Sequence, residues 1–247
     1  MTMAFLIYAG MIKYSAFSKT GDLVNNLFSQ MPPALLQVMG IDPNGDLSSV
    51  AVFYSVFFLY FLLLTAVHAS MLGALIIAKE ERDKTADFLF VKPIKRYKIL
   101  TPKIAAAGIN ILILNIFTYF TSIFSVAKYS NGNDINMQIF RVLLVLLILQ
   151  ILFLGFGFLF GAFTKSSKTA TSILSGIILG TFMLKVAIDL NKDIDFLTLL
   201  SPFSYFKSST VMFDGKIDLF YGIFAILLAI LGTLLSYYFL NKKDLKN

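Results

Sequence analysis

From Val142 to Thr164 the chain carries no charged side chain, and the same holds for Ala51–Ala78, Ile104–Ala127 and Leu219–Leu240. A helix rises about 1.5 Å per residue, so roughly 20 such residues cross the hydrocarbon core of a bilayer. All four stretches reach that length. Thr169–Leu184 is shorter but continues through Lys185 to Ile188, and a lysine that close to a helix end can extend its ammonium to the headgroups. Backbone polar groups cannot stay unsatisfied in hydrocarbon, so these stretches are expected to be helices. Composition agrees: 57% of residues are hydrophobic, 14% are charged and 26 are Phe. A soluble domain carries about a quarter charged residues, and one core of this size could not hide the excess. The surplus apolar surface must face lipid.

The N-terminus is open to two readings. Met1–Ile12 is apolar but too short to cross alone, and continuing past Lys13 to Phe17 reaches only the lower limit of about 17 residues. It is either a first span or an interfacial helix, and the span is favoured. The expected fold is an all-α membrane protein, a six-helix transmembrane bundle forming a single domain over 1–247. The spans are 1–17, 51–78, 104–127, 142–164, 169–190 and 219–240. Segments 19–50, 128–141 and 191–218 lie on one side; 79–103, the short turn at Lys165–Lys168 and the tail lie on the other.

Lysine and arginine set the orientation. Lys79, Arg82, Lys84, Lys92, Lys95, Arg96, Lys98, Lys103, Lys165, Lys168, Lys242, Lys243 and Lys246 fall on one side, more than half of the 21 basic residues. That side is expected to be cytoplasmic, with both termini on it. Met31-Pro32-Pro33, Asp42-Pro43-Asn44-Gly45 and Ser130-Asn131-Gly132-Asn133-Asp134 mark turns on the opposite side, where Ala34–Met39 is apolar enough to lie along the membrane face. Net charge is +7, but the basic residues sit between apolar runs. A surface of anionic lipid is therefore the simpler partner, and nucleic acid is not expected. The sequence has no Cys and one His, which excludes disulfides and thiolate metal sites and makes an imidazole site improbable. No basic segment precedes the first apolar run and no A-x-A site follows it, so no cleavable signal is expected.

The segment that carries most information is Lys79–Lys103, KEERDKTADFLFVKPIKRYKILTPK. Thr85 suits a helix N-cap with Asp87 in the first turn, facing the positive end of the helix dipole. Ala86–Val91 would then form a short helix presenting Phe88 and Leu89 or Phe90. Pro93 would stop it, and the chain would re-enter the membrane after Pro102. Apolar residues flanked by charge on such a helix suit docking into a groove on a cytoplasmic partner, although an ordinary basic loop fits the same residues.

This segment resembles the first cytoplasmic loop of type-2 ABC exporter permeases. There an acidic cluster precedes G-T-x-E-x-L-L, and K-P-I-x-R leads into the third span. Glu80, Glu81, Asp83, Thr85, Asp87, Phe88 and Leu89 match the first block, and Lys92-Pro93-Ile94-Lys95-Arg96 matches the second. Lys84 stands where glycine is usual and Asp87 where glutamate is usual. Ser201-Pro202-Phe203-Ser204-Tyr205-Phe206 is similar to the S-P-F-x-Y-F element that the family carries before its last span. The resemblance implies that Glu80, Glu81, Asp83, Thr85, Asp87, Phe88, Leu89, Pro93 and Arg96 couple the chain to a cytoplasmic ABC ATPase. It also implies a second permease, as homodimer or related heterodimer, in a bacterial cell membrane. Family members begin with a basic amphipathic helix leading into the first span; Met1-Thr2-Met3 falls inside that span, so the leading helix is expected to be missing and the first span truncated.

An exporter of this kind needs ATP, and the phosphate loop is G-x-x-x-x-G-K-[ST]. Gly161–Thr169 (GAFTKSSKT) ends in lysine and threonine but has Ser166 at the second glycine position. No cofactor is therefore expected on this chain, and ATP with Mg belongs on the partner ATPase. The chain itself is not expected to be an enzyme. The expected cargo is hydrophobic or amphipathic, with a drug or antimicrobial peptide first among the candidates.

Four polar residues inside spans, His68, Asn110, Asn115 and Gln150, are candidates for the pathway, though each reads first as an interhelical hydrogen bond. Gly157-x-x-x-Gly161 and Gly176-x-x-x-Gly180 are read as close helix packing, and Lys185 with Asp189 as an i,i+4 pair. The alternative class, an ion-coupled secondary transporter or channel, usually places ionisable residues near the midplane. The middles of the five secure spans have none.

Lys95→Cys and Gly132→Cys should label from opposite faces of the membrane, Gly132→Cys alone reacting with an impermeant maleimide outside intact cells. Reaction of both from outside would invert or break the topology.

Overall fold

The computed structural model describes residues 2–18, 21–32, 35–36, 39, 41, 46–79, 97–130, 135–164 and 166–242. The described residues contain helices and no strand. The helices are α1 (Thr2–Phe17), α2 (Gly21–Ser29), α3 (Val50–Ile77), α4 (Tyr97–Ala127), α5 (Asn136–Phe163), α6 (Ser167–Leu190) and α7 (Leu219–Lys242). Helices α3 to α7 are each long and apolar enough to cross a membrane. Helix α1 has 16 residues, roughly 24 Å at 1.5 Å per residue and short of the hydrocarbon thickness.

Two compact units make up the chain. One comprises Met1–Leu63, Leu114–Leu146 and Thr181–Leu219; the other comprises Leu64–Ile113, Leu147–Gly180 and Phe220–Asn247.

In the first unit, α1 buries Met3, Ile7, Met11 and Tyr14, a stripe at helical spacing, and leaves Phe5, Tyr8 and Ile12 exposed. Gly10 lies on the buried stripe because the ring of Phe57 occupies the place of a side chain: a Cβ there would stand 2.0 Å from that ring. Tyr14 packs on Phe53 at 5.2 Å between ring centroids, and its hydroxyl donates to the carbonyl of Ser48 at 2.7 Å. The start of α3 is held by a polar knot. Asp46 accepts from Asn25 Nδ2 at 2.6 Å, from Ser48 N at 2.9 Å and from Ser48 Oγ at 2.7 Å. The Ser48 hydroxyl, then Asn25 and the Ser48 N–H, hold the Asp46 carboxyl below its usual range. Because the folded value is depressed, this contribution to stability is full above the ordinary carboxylate range and is lost as pH falls through the lowered value. Deeper along α3, the buried hydroxyl of Tyr54 donates to Ser122 Oγ on α4 at 2.8 Å. Neither group is left unsatisfied where water is absent.

In the second unit, helices approach closely through residues without side-chain bulk. A Cβ on Gly157 of α5 would stand 2.4 Å from the carbonyl oxygen of Ser70 on α3, and one on Gly73 would stand 2.7 Å from that of Leu154. Gly161 meets Ala74 in the same way at 2.8 Å. On another side of α5, Gly155 and Gly232 each approach the opposite backbone, with a Cβ on Gly155 reaching 2.7 Å from Ala229 of α7. Helix α7 presents the stripe Gly222, Ala225, Ala229, Gly232 and Ser236, all buried. Only small residues allow such approach, and it maximises dispersion contact between helices.

Helix α5 is apolar on most of its surface, and accordingly most of its span is buried, whereas little of α6 is. The expected close packing at Gly157 and Gly161 is present. At Gly176 and Gly180 it is not: both glycines are exposed, and among the described residues nothing lies within 4 Å of a Cβ placed there. The motif is the same in both helices, but among the described residues only α5 has a neighbouring helix at that face.

Two boundaries differ from expectation. Helix α4 begins at Tyr97, and Pro102, expected just ahead of the span, lies inside it. Proline removes the bond that would run to the Lys98 carbonyl. The Thr101 hydroxyl, donating to the Tyr97 carbonyl at 2.9 Å, helps hold the turn that proline disturbs. Helix α5 begins at Asn136 rather than Val142, so Arg141 is a helical residue. Ser166, where a phosphate loop would need glycine, caps α6 by accepting from Thr169 N at 3.2 Å.

Gly157→Ala should lower the unfolding stability of the micelle-solubilised chain by about 1–3 kcal/mol, the usual cost of overpacking. Gly176→Ala should leave it unchanged or raise it by up to about 1 kcal/mol through helix propensity. Unfolding midpoints of the two variants, measured side by side, check this.

Candidate functional site

Glu80, Glu81, Asp83, Thr85, Asp87, Phe88, Leu89, Pro93 and Arg96 lie outside the described residues, as does the expected short helix Ala86–Val91. The structure does describe the two helix ends between which they run. Lys79 is exposed just beyond the end of α3, and Tyr97 and Lys98 are exposed at the start of α4 while Leu100 is buried. These ends are tied to each other: Lys103 Nζ donates to the Ile77 carbonyl at 3.4 Å. The last carbonyls of a helix lack intrahelical partners and carry the negative end of its dipole, so an ammonium there is favourable. A second tie joins the Thr101 hydroxyl to that of Tyr237 on α7 at 2.9 Å. Neither tie is legible in the sequence. The i-to-(i+26) pairing of a lysine with a carbonyl leaves no periodic trace there.

The four polar span residues divide by exposure. His68 and Asn110 are exposed, whereas Asn115 and Gln150 are buried and both engage partners within the chain. An imidazole and an amide on an exposed face at hydrocarbon depth are costly unless water or another polar group reaches them. Among the described residues, no group of three His, Cys, Asp or Glu is placed to hold a metal ion. Lys185 and Asp189 form the expected ion pair one turn apart on α6.

The block Ser201–Phe206 folds as a clip in the first unit. Pro202 opens a short 3₁₀ turn, Pro202–Ser204, a position where its missing N–H costs nothing. The Ser201 hydroxyl, fully buried, donates to the Thr181 carbonyl of α6 at 2.8 Å. Phe203 packs edge-on against Phe182 at 5.8 Å, and the Tyr205 hydroxyl donates to the Leu199 carbonyl at 2.7 Å. Ser204 Oγ is buried without a hydrogen-bond partner among the described residues. Farther on, Gly215 adopts φ 67°, and a Cβ there would stand 2.7 Å from the Arg141 guanidinium. Glycine is needed there twice over, for its positive φ and for the approach of Arg141.

The family model for ABC-2 family transporter proteins matches residues 2–245. No individual curated protein matches the sequence.

If the Ser201–Phe206 block is held by its hydrogen bonds, Ser201→Ala and Tyr205→Phe should each lower unfolding stability in micelles by about 1 kcal/mol. Ser204→Ala, which removes an unsatisfied hydroxyl from the same block, should be neutral or stabilising. Equal losses in all three variants would show that these bonds do not hold the block.

Proposed function

The chain belongs to the ABC-2 transporter family, and we propose that it is the permease subunit of an ATP-driven exporter whose ATPase is a separate polypeptide. It is a multi-pass membrane protein. What carries the reading beyond family membership is the segment Lys79–Lys103. It joins two long spans, bears eight basic residues and the acids Glu80, Glu81, Asp83 and Asp87, and places Phe88-Leu89 among them. Two adjacent large apolar residues in so charged a connection gain nothing from water and suit a groove on a partner.

In this reading Thr85 and Asp87 start a short helix, Phe88 and Leu89 fill the ATPase groove, and Glu80, Glu81, Asp83 and Arg96 sit at its rim. Rim charges set orientation more than affinity. Pro93 ends the helix. ATP and Mg bind the partner, and two permeases, identical or related, assemble with two ATPases. Closure of the ATPase pair moves the segment, and the spans open alternately to the two sides of a bacterial cell membrane. Both termini of this chain are cytoplasmic. The cargo class supported best is hydrophobic or amphipathic, a drug or an antimicrobial peptide, because the middles of the secure spans offer polar contacts such as His68 and Asn110 and no charged residue.

Phe88→Ala combined with Leu89→Ala should leave membrane insertion intact while weakening ATPase binding by roughly 2 kcal/mol or more, the worth of a central buried anchor. Export should fall with it. Lys242→Ala with Lys243→Ala serves as the control and should be mild. Pull-down of the partner and a transport assay on each variant read the outcome; full binding and full export by the double alanine variant would remove the coupling role.

A further inference from the structure

Arg141 is the last charged residue of α5 before an uncharged run that continues to Phe163. That run, Val142–Phe163, rises roughly 33 Å at 1.5 Å per residue, about the thickness of the hydrocarbon core. Arg141 therefore stands at the edge of the hydrocarbon. Side chains lean toward the N-terminus of their helix, which carries the guanidinium back to headgroup level.

The guanidinium has a shaped seat there. The turn Thr210–Asp214 ends at Gly215, whose φ is 67° and whose N–H closes the turn on the Thr210 carbonyl. A Cβ on Gly215 would stand 2.7 Å from Arg141 Nη1, 2.9 Å from Cζ and 3.1 Å from Nη2. Three such similar distances mean that the guanidinium plate lies across the glycine. Its donors lie in the plane of the plate, so they are aimed past the glycine. Among the described residues they meet no acceptor and no carboxylate at ion-pair distance.

The surroundings indicate what would take those donors. Met137, Phe140 and Leu144 are exposed, and at 3.6 residues per turn they share with Arg141 about 100° of the α5 surface. Phe213 is exposed on the turn itself. A lone cation at the edge of an apolar face suits an amphiphile with an anionic head and apolar chains. Asp214 and Lys216, exposed on either side of Gly215, offset each other. One positive charge remains, which a headgroup of net charge −1 neutralises and a zwitterionic headgroup does not.

We propose that Arg141, seated on Gly215, binds the phosphate of an anionic phospholipid in the leaflet at which α5 begins. The planar fork of donors engages two phosphate oxygens, and an acyl chain runs inward over Leu144.

The sequence contains no Trp, so Leu144→Trp places a single fluorophore one turn deeper than Arg141 on the same face. The full chain carrying it is reconstituted into phosphatidylcholine bilayers holding a minor fraction of brominated phosphatidylglycerol. Leu227→Trp, exposed midway along α7 with no basic residue within a turn, is the reference for unselected lipid. Quenching at Leu144→Trp should report a local phosphatidylglycerol fraction enriched about fivefold over the reference, the weight of one basic residue at an anionic surface. Adding Arg141→Met should return it to the reference value, and Arg141→Lys should keep part of it. The enrichment should survive inorganic phosphate added at constant ionic strength. The comparison of Leu144→Trp with Leu227→Trp needs no change at Arg141, so it stands even where Arg141→Met fails to fold. Equal quenching at the two positions would overturn the proposal, as would enrichment that persists in folded Arg141→Met. Loss of enrichment to inorganic phosphate would make this a seat for a soluble anion and overturn the lipid assignment. Shielding of Leu144→Trp from bromine would show that protein covers the face, and would overturn it equally.

Discussion

Inside a bilayer an apolar side chain gains nothing by leaving lipid for another helix, so helices must be held by contact at short range. In this chain that contact is made where side chains are nearly absent. Gly73 and Gly157 let α3 and α5 meet backbone to backbone, and Gly155, Ala229 and Gly232 do the same for α5 and α7. Each closer approach brings more atom pairs into dispersion range, and no single pair matters much. The polar supplements are few and specific. Thr101 with Tyr237, and Lys103 with the Ile77 carbonyl, hold helix ends where water begins to compete. In the unit that includes α1, bulky aromatic residues contribute as well: Tyr14, Phe53, Tyr54, Phe57 and Phe61 pack in succession.

The existence and class of the helices were legible because a bilayer allows few alternatives: an uncharged run of sufficient length must be helical. Which face of each helix meets protein was much less legible. Gly157-x-x-x-Gly161 and Gly176-x-x-x-Gly180 are the same signal, yet among the described residues only the first meets another helix. A spacing rule reports what a face permits and contains nothing about whether a neighbour is present. Helix ends differ from expectation for a related reason. Charge at Arg141 and proline at Pro102 look like boundaries in sequence, but a basic residue is at home in a helix near the interface. Proline near a helix start disturbs a single turn that Thr101 can partly hold. For the candidate site, the pairing of Lys185 with Asp189 was readable because both partners sit on one helix. Arg141 over Gly215, and Lys103 on Ile77, join residues distant in sequence and had no periodic signature.

The Ser201–Phe206 block shows how a resemblance and a physical account can differ in content. As a motif it identified a family element, with no statement of what its residues do. In the structure four of its residues have mechanical roles. The serine bonds to α6, the proline starts a turn, the first phenylalanine sets its ring against Phe182, and the tyrosine bonds to Leu199. Ser204, the variable position, makes no such bond among the described residues. These roles concern the position of the connection against α6, and they account for the block without any ligand.

The small-residue contacts also bear on how work done on the segment Lys79–Lys103 would be distributed under the proposed function. The segment leaves α3 and enters α4, and the adjoining parts of both helices belong to the unit that contains the glycine contacts. Packed cores of this kind resist continuous deformation and move as bodies between discrete arrangements. A displacement applied between Ile77 and Tyr97 would meet the Lys103 tie first. It would then meet contacts in which a shift of a few tenths of an ångström either clashes with backbone or opens a gap. Such a unit would pass the displacement on to α5 and α7 through Gly157 and Gly155, because no flexible side chain lies between those backbones to absorb it. A looser interface of long apolar side chains would dissipate the same push in rotamer changes. A close-packed unit that joins a charged segment to several spans is what the proposed role would require.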